Sequence, residues 1–171
     1  MPHKKFRYFY SSISIKPMKK TSFFVLCLLI GAVSFSQELI RLQPCHNPSI
    51  QSQADSIKHL VAKDGFSLLR EASITMESDY ETPTIVPLQQ GGLYHFVFIG
   101  DVGSKLLEVR MYDADEHMIL YQKKAGSEGN IIAFSHVPEA TLVYMFNSLQ
   151  INKKKKKGLC GYVLLFKKTN P

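Results

Sequence analysis

The chain has no tryptophan and only three cysteines among its 171 residues. It contains no Cys-x-x-Cys pair, which oxidoreductases use to exchange electrons, and this argues against a redox role. The His-Glu-x-x-His pair of zinc proteases and the Gly-x-Ser-x-Gly elbow of serine hydrolases are also absent. No short motif therefore identifies a catalytic site.

No apolar run reaches the roughly 20 residues that a membrane-spanning helix needs. The longest run, residues 23–33, follows a lysine pair and precedes Ser34-Phe35-Ser36. A basic start, a short apolar core and small residues two apart are typical of an export signal. We predict that residues 1–36 are an upstream extension plus a signal peptide starting at Met18, cleaved between Ser36 and Gln37. The protein is then periplasmic or secreted and not an integral membrane protein.

The net charge of +7 comes largely from this leader segment. Residues 1–36 hold six of the 21 basic residues and none of the 14 acidic ones, so the remainder carries +1. Five of the remaining basic residues form a single run, and the rest of the domain is mildly acidic. A broad basic face for nucleic acid is not predicted.

The period of the apolar residues changes once along the chain. Residues 37–65 form an N-terminal segment, in which positions 49–63 show helical spacing before Asp64-Gly65. The apolar positions of this helix are Ile50, Ala54, Ile57, Leu60 and Val61. From residue 66 to 171, strand-like blocks are separated by turn residues. The predicted strands are 66–77, 84–88, 93–99, 105–112, 118–122, 131–137, 141–151 and 159–168. About eight strands at this spacing predict an all-β, antiparallel β-sandwich of the jelly-roll type with one short N-terminal helix.

Four blocks have positions that can be predicted within the sheets. Pro83 and Pro87 flank and interrupt the second block, and a proline cannot donate to a strand ladder, so this block is predicted at a sheet edge. Residues 93–99 are apolar at nearly every position and are predicted to be central. Residues 105–112 and 118–122 are predicted to form a hairpin.

Residues 84–168 resemble the bacterial pre-peptidase C-terminal domains. The resemblance lies in Val86-Pro87-Leu88, Gly92-Leu93-Tyr94-His95-Phe96, the block from Leu106 to Asp113 and the closing Gly161-Tyr162-Val163-Leu164-Leu165. It implies a compact β-sandwich that accompanies secreted enzymes, is itself non-catalytic and has an accessory or binding role.

Two cysteines remain after the predicted cleavage, Cys45 and Cys160. An exported compartment is usually oxidising, which favours a disulfide between them. The bridge would close a loop of more than 100 residues and stabilise the fold by roughly 4–5 kcal/mol in the chain-entropy model. Two unpaired buried thiols are the alternative.

Two acidic series were considered as calcium ligands. Asp113 and Asp115 place carboxylates two apart, as at the start of a calcium loop, but Met118 and Lys124 stand where that loop has glycine and glutamate. A solvated hairpin turn is the preferred interpretation, with calcium as the one cofactor alternative. The second series, Glu77, Asp79 and Glu81, is interpreted as one wet face of a strand, again with calcium as the lesser alternative.

The histidines show no metal-ligand spacing. His95 lies in the most apolar block and is predicted to be a core or interface histidine bonded to a carbonyl. An alternative function, a small secreted hydrolase or metal-dependent enzyme, would need a site assembled only in three dimensions. A concave pocket that holds two or more of a set of six residues would favour it, namely His95, His117, His136, Asp101, Asp113 and Asp115.

The lysine run is the candidate binding site. It comprises Lys153, Lys154, Lys155, Lys156 and Lys157. Clustered cations attract phosphate headgroups or acidic polysaccharide, although lysines also keep a hairpin tip solvated. The tyrosines 80, 94, 112, 121, 144 and 162 are candidate stacking platforms for sugars. The predicted function is an exported, non-catalytic binding or accessory protein whose partner is an anionic envelope surface, a glycan or another exported protein.

Overall fold

The computed structural model describes residues 43–154 and 157–169. The predicted export signal, its cleavage site, Lys155 and Lys156 lie outside the described residues. One helix, α1 (Pro48–Lys63), precedes eight strands. The strands are β1 (Phe66–Glu77), β2 (Thr82–Leu88), β3 (Tyr94–Ile99), β4 (Ser104–Tyr112), β5 (Met118–Ala125), β6 (Ile131–His136), β7 (Leu142–Asn152) and β8 (Lys157–Lys168). Every predicted element is present, with its ends shifted by up to three residues.

The strands form two antiparallel sheets of four. Sheet A has the order β1-β8-β3-β6, and sheet B has the order β2-β7-β4-β5. Every connection between successive strands crosses from one sheet to the other, except the β4–β5 hairpin, which stays within sheet B. This strand order is that of a jelly roll and confirms the predicted fold class.

The proline-containing strand lies at an edge, as predicted. β2 is the outer strand of sheet B and pairs only with β7. On its unpaired side, the Arg70 guanidinium donates a hydrogen bond of 2.8 Å to the Ile85 carbonyl. β3 lies between β8 and β6, which confirms its central position. The prolines and Arg70 both protect the β2 edge against pairing with another strand.

The main core lies between the two sheets and is rich in aromatic rings. The rings of Phe96 and Phe146 stack at 4.4 Å between centroids, and Phe134 lies 5.2 Å from Phe96. Phe96 and Phe146 are almost fully buried. Burial of a phenylalanine side chain stabilises a fold by roughly 1.5–3 kcal/mol, so this cluster accounts for much of the contact between the sheets.

A second apolar layer lies on the outer face of sheet A. Asn47 caps α1, since its side-chain oxygen accepts hydrogen bonds from the backbone N–H groups of Ser49 and Ile50. The helix packs Ile50, Ala54 and Val61 against the outward residues of β3 and β8, which are Val97, Ile99, Leu164 and Phe166. No helix among residues 43–154 and 157–169 is long and apolar enough to cross a membrane.

One predicted core position of the helix is wrong. Leu60 is 62% exposed, whereas Ala54 is fully buried and Val61 is nearly so. At 100° per residue, Leu60 lies roughly 80° to one side of Ile50 around the helix, while Val61 lies within roughly 20° of it. The apolar stripe is therefore narrower than the sequence pattern suggested.

A disulfide ties the segment before α1 to sheet A. Cys45 and Cys160 are bonded across a sequence separation of 115 residues, with their Cα atoms 5.5 Å apart. The same segment is held by a backbone hydrogen bond of 2.7 Å from Thr75 N–H to the Gln43 carbonyl. The predicted disulfide is confirmed, and such bonds are typical of proteins that fold in oxidising compartments.

Removal of the disulfide should destabilise the protein without changing its fold. For the double variant C45A/C160A we expect the free energy of unfolding to fall by roughly 4–5 kcal/mol, because the unfolded chain regains the freedom that the bridge removes. Guanidinium titration followed by circular dichroism measures the change. Reduced wild-type protein serves as the control and should match the variant. Free thiols at both positions in unreduced, denatured protein, mapped by mass spectrometry, would contradict the bridge.

Candidate functional site

The jelly-roll order brings four connections to one end of the sandwich. Three of them are residues 78–81, 100–103 and 126–130, and the fourth is the turn that begins at Lys153. Each follows an odd-numbered strand. Because the strands are antiparallel, the odd-numbered strands all run in one direction, and the connections after them lie at one end of the sandwich. We call this end, which carries the lysine run, the lysine end.

The space between the sheets is polar near the lysine end. The buried polar residues there are Ser78, Ser104, Ser148, Gln150 and Asn152. Gln150 is fully buried, and its side-chain oxygen accepts hydrogen bonds of 2.9 Å from the Asp101 backbone N–H and from the Ser104 hydroxyl. Its amide nitrogen donates to the Cys160 carbonyl at 3.3 Å. Gln150 therefore fixes the β3–β4 connection against both sheets.

Asn152 positions the start of the lysine turn. Its side-chain nitrogen donates to the Gly103 carbonyl at 2.7 Å, and its side-chain oxygen accepts from the Lys154 backbone N–H at 2.9 Å. Its own backbone N–H donates to the Ser78 hydroxyl at 2.9 Å. Three of the four connections at the lysine end are thus joined through one residue.

An open cleft of about 680 Å³ lies beside this turn. Its walls are Gly103, Ser104, Lys105, Ala125, Gly126, Ser127, Asn152, Lys153 and Lys154. Gly126 packs directly on the Ser104 carbonyl, where any β-carbon would clash. The close approach of these two strand ends forms one wall. We call this feature the lysine cleft, since three lysines and no carboxylate line it.

The lysines of the cleft differ from the last lysine of the run. Lys105, Lys153 and Lys154 are exposed, and no carboxylate among residues 43–154 and 157–169 lies within 4.0 Å of their ammonium groups. Lys157 instead forms an ion pair of 3.4 Å with Glu77. Among the described lysines of the run, Lys153 and Lys154 therefore offer their charge to a ligand at the cleft, and Lys105 adds a charge that the sequence run did not include.

The two predicted calcium ligands lie in the β4–β5 turn. Ligand atoms of Asp113, Asp115 and His117 all lie within 4.8 Å of one another. One oxygen of Asp113 accepts from the backbone N–H groups of His117 at 2.8 Å and Asp115 at 3.0 Å. These bonds, that from His117 foremost, hold the pKa of Asp113 below its ordinary value. The carboxylate shapes the hairpin turn, as in the preferred interpretation of this segment, and calcium stays the untested alternative.

The second acidic series does not share one strand face. β1 ends at Glu77, and Asp79 lies in a turn with a φ of 71°. Glu81 bonds instead to Arg110 and to Asn147 in sheet B. The interpretation of these three residues as one solvent-exposed strand face is wrong. Between Glu77 and Glu81 the chain crosses from sheet A to sheet B.

Two groups considered for an enzyme site meet at the opposite end of the sandwich. Asp113 and His136 line a cavity of about 280 Å³, together with Glu139. Burial lowers the pKa of His136, and its Nε2 atom has no hydrogen-bond partner among the described residues. Asp113, however, accepts hydrogen bonds from backbone N–H groups of its own turn. No hydrogen bond joins it to His136 within the described part of the chain. The pair does not form an aligned acid–base couple.

His95 lies on the outer face of sheet A, against the rings of Phe66 and Phe166. Its partial burial lowers its pKa. The predicted packing role is correct, but its hydrogen-bond partner is the Ser135 hydroxyl, at 2.9 Å, and not a carbonyl.

Three of the six candidate tyrosine platforms are buried, namely Tyr94, Tyr144 and Tyr162. Tyr80 is 64% exposed in the β1–β2 connection, and Tyr121 is 45% exposed on β5. Tyr112 is half-buried at the end of β4. Only these last three offer an accessible ring.

No family model and no curated protein matches the chain. Among solved structures, it is similar to the K3 cleaved adhesin domain of Lys-gingipain from Porphyromonas gingivalis w83, at 11% identity over 58% of this chain and 74% of that one, with a TM-score of 0.41. It is also similar to a CBM4 structure, at 13% identity over 58% and 74% with a TM-score of 0.35. A third is a Streptococcus pneumoniae fucose binding module, SpX-3, at 13% identity over 59% and 73% with a TM-score of 0.31. At these scores the fold assignment rests on the strand order itself.

Loss of the Gln150 side chain should destabilise the lysine end. For Q150A we expect the free energy of unfolding to fall by about 3 kcal/mol, because buried donors and acceptors lose their partners and a cavity remains. Q122A, at an exposed position of the edge strand β5, is the matched control and should change stability by less than about 0.5 kcal/mol. Urea titration of both variants gives the comparison. Equal stabilities would show that the buried amide is not needed.

Proposed function

We propose that this protein is an exported, non-catalytic β-sandwich that binds anionic groups of the cell envelope through the lysine cleft. The observation that carries the proposal is an open concavity of about 680 Å³ whose charged walls are all lysines. Lys105, Lys153 and Lys154 come from two different strand ends and converge on it. The partner is an anionic envelope surface, an acidic glycan or an acidic exported protein.

The chemistry of the cleft suits phosphate, sulfate or carboxylate groups. An ammonium group near an anionic surface contributes about 1 kcal/mol of attraction, which salt screens within about 10 Å at 0.1 M. Three such groups give a salt-sensitive binding of moderate strength. The buried hydrogen bonds of Gln150 and Asn152 hold the walls of the cleft in place before a ligand arrives, and this lowers the entropic cost of binding.

An accessory role follows from the same features. The jelly roll agrees with the compact β-sandwich that the resemblance to pre-peptidase C-terminal domains implies, and membership of that group is part of this proposal. Asp113 and His136 share a cavity but form no hydrogen bond with each other, and Asp113 instead contacts His117 within its own exposed hairpin turn, which supports a role in binding rather than in catalysis. The disulfide supports export, because such bonds persist in oxidising compartments.

Neutralisation of the cleft should weaken binding to anionic surfaces. For K153Q/K154Q we expect retention on phosphatidylcholine vesicles containing phosphatidylglycerol to fall by about 10- to 30-fold at low salt, since two attractive charges are lost. The matched control is K63Q/K167Q, which removes the same charge at the other end of the sandwich. Co-sedimentation at low and high salt measures retention, and dextran sulfate beads replace the vesicles in a second arm.

The two arms separate the sources of the anionic group. Loss on vesicles alone indicates lipid headgroups, and loss on beads alone indicates an acidic polysaccharide. An equal loss in the cleft variant and in its control would attribute binding to net charge and refute the cleft.

The exported protein should begin at Gln37. We expect expression from Met18 in a bacterial host to give a periplasmic or secreted product whose N-terminus follows Ser36, because small residues at positions −3 and −1 are accepted by signal peptidase. Intact mass and N-terminal sequencing identify the cleavage site. The variant S36L, which places a large residue at −1, should remain uncleaved. A cytosolic product retaining residues 18–36 would contradict export.

A further inference from the structure

The two outer faces of the sandwich differ in their cover. Sheet A is covered by α1, whereas no described residue covers the outer face of sheet B. We call the latter the open face. It presents large apolar side chains to solvent, including Ile85 at 57% and Met118 at 58% exposure. Large contiguous patches of exposed apolar surface mark interaction sites in soluble proteins.

The open face is organised in rows that cross the four strands. One row contains Ile85, Met145, Tyr112 and Met118, which are register neighbours on β2, β7, β4 and β5. The next row is formed by Pro83, Asn147, Arg110 and Tyr121 on the same strands. Along the strands, the open face therefore changes from an apolar row to a more polar one.

The third row is charged at both of its ends. Lys123 pairs with Glu108, Glu108 pairs with Leu149, and Glu81 directly precedes Thr82, which pairs with Ser148. Glu81 thus stands at the β2 side of the sheet and Lys123 at the β5 side. Arg110 bonds to Glu81 and, at 2.8 Å, to Glu108, while Lys123 lies 3.5 Å from Glu108. These contacts leave Glu108 only 7% exposed, and they hold the charged groups against the sheet.

We infer that the open face is a self-complementary interface between two copies of this chain. An isologous interface is built around a two-fold axis that lies in the plane of contact. An axis parallel to the strands, between β7 and β4, places β2 of one copy over β5 of the other. Lys123 then lies opposite Glu81 of the second copy, in both directions. An axis across the strands would bring Glu81 against its own copy, so the charges select the first arrangement.

The other rows agree with the same axis. Ile85 comes to lie over Met118 of the second copy, and these two are among the most exposed apolar side chains of the protein. Met145 comes to lie over Tyr112, and Pro83 over the ring of Tyr121. In the first row each apolar group therefore meets an apolar group, while in the third row each terminal charge meets the opposite charge. Two aligned sheets packed face to face are a common arrangement in β-proteins, with the sheets about 10 Å apart.

Face-to-face packing is favoured over edge-to-edge pairing by the protected β2 edge. Pro83 and Pro87 have no backbone N–H to donate along this edge, and the Ile85 carbonyl already accepts a hydrogen bond from Arg70. The four charged groups of the open face, Glu81, Glu108, Arg110 and Lys123, sum to zero, so two copies do not repel each other there. A second copy, turned about the two-fold axis, presents the same charges in reversed order across the strands. This is the order that places each terminal charge opposite its counter-charge.

The first test is the oligomeric state of the purified protein. We expect sedimentation equilibrium to give a monomer–dimer equilibrium in the micromolar range. I85E should raise the dimer dissociation constant at least 10-fold, because the substitution is present twice in each dimer. L60E is the matched control, since Leu60 is equally exposed but lies on α1, and it should leave the constant unchanged. Circular dichroism checks that both variants fold.

The second test uses reversed charges to locate the contact. K123E and E81K should each be monomeric, because each homodimer then opposes two like-charged pairs. An equimolar mixture of K123E and E81K should recover the dimer, since both contacts become attractive in the heterodimer. A monomeric wild-type protein throughout this concentration range would overturn the inference. So would a dimer that I85E leaves intact, or a mixture that fails to associate while I85E abolishes the wild-type dimer.

Discussion

The structure depends on covering both faces of β3 and β8. From Tyr94 to Ile99 and from Leu159 to Phe166, nearly every side chain is buried, so these strands cannot have a solvated face. Sheet B buries one face in the phenylalanine-rich core, and α1 must bury the other. The Asn47 cap and the disulfide both act on the segment that enters α1. They add to the packing of its apolar stripe, which supplies most of the stability of a helix in a folded protein.

The strand patterns account for the difference between the two sheets. β2 and β7 alternate between buried and exposed residues, as expected when one face lies on the core and the other is solvated. β3 and β8 lack this alternation because they are covered twice. The sequence thus specifies which sheet receives the helix and which sheet stays open. The proposed interactions use the surfaces that remain: the lysine end and the open face.

Much of the fold could be predicted, because period and turn chemistry are local properties. The prolines of β2 placed it at an edge, and the unbroken apolar run of β3 placed it in the centre. The two cysteines could be paired because few remained. The site was harder to predict. Gly103, Lys105 and Gly126 line the cleft with Lys153, although they are far from it in the sequence and carry no motif. The error at Glu77, Asp79 and Glu81 has a related cause, since alternation cannot reveal where a chain leaves one sheet for the other.

The geometry of the proposed dimer bears on the proposed binding. A two-fold axis parallel to the strands keeps the strand directions of both copies aligned, so the two lysine ends face the same way. Two clefts are then presented together to a surface that carries many anionic groups. After the first cleft binds, the second meets its ligand at a high effective concentration, which can raise overall retention by ~10²- to 10⁴-fold without any new contact. A cleft with three lysines binds with moderate strength as a single site, and pairing through the open face would strengthen the attachment to the envelope.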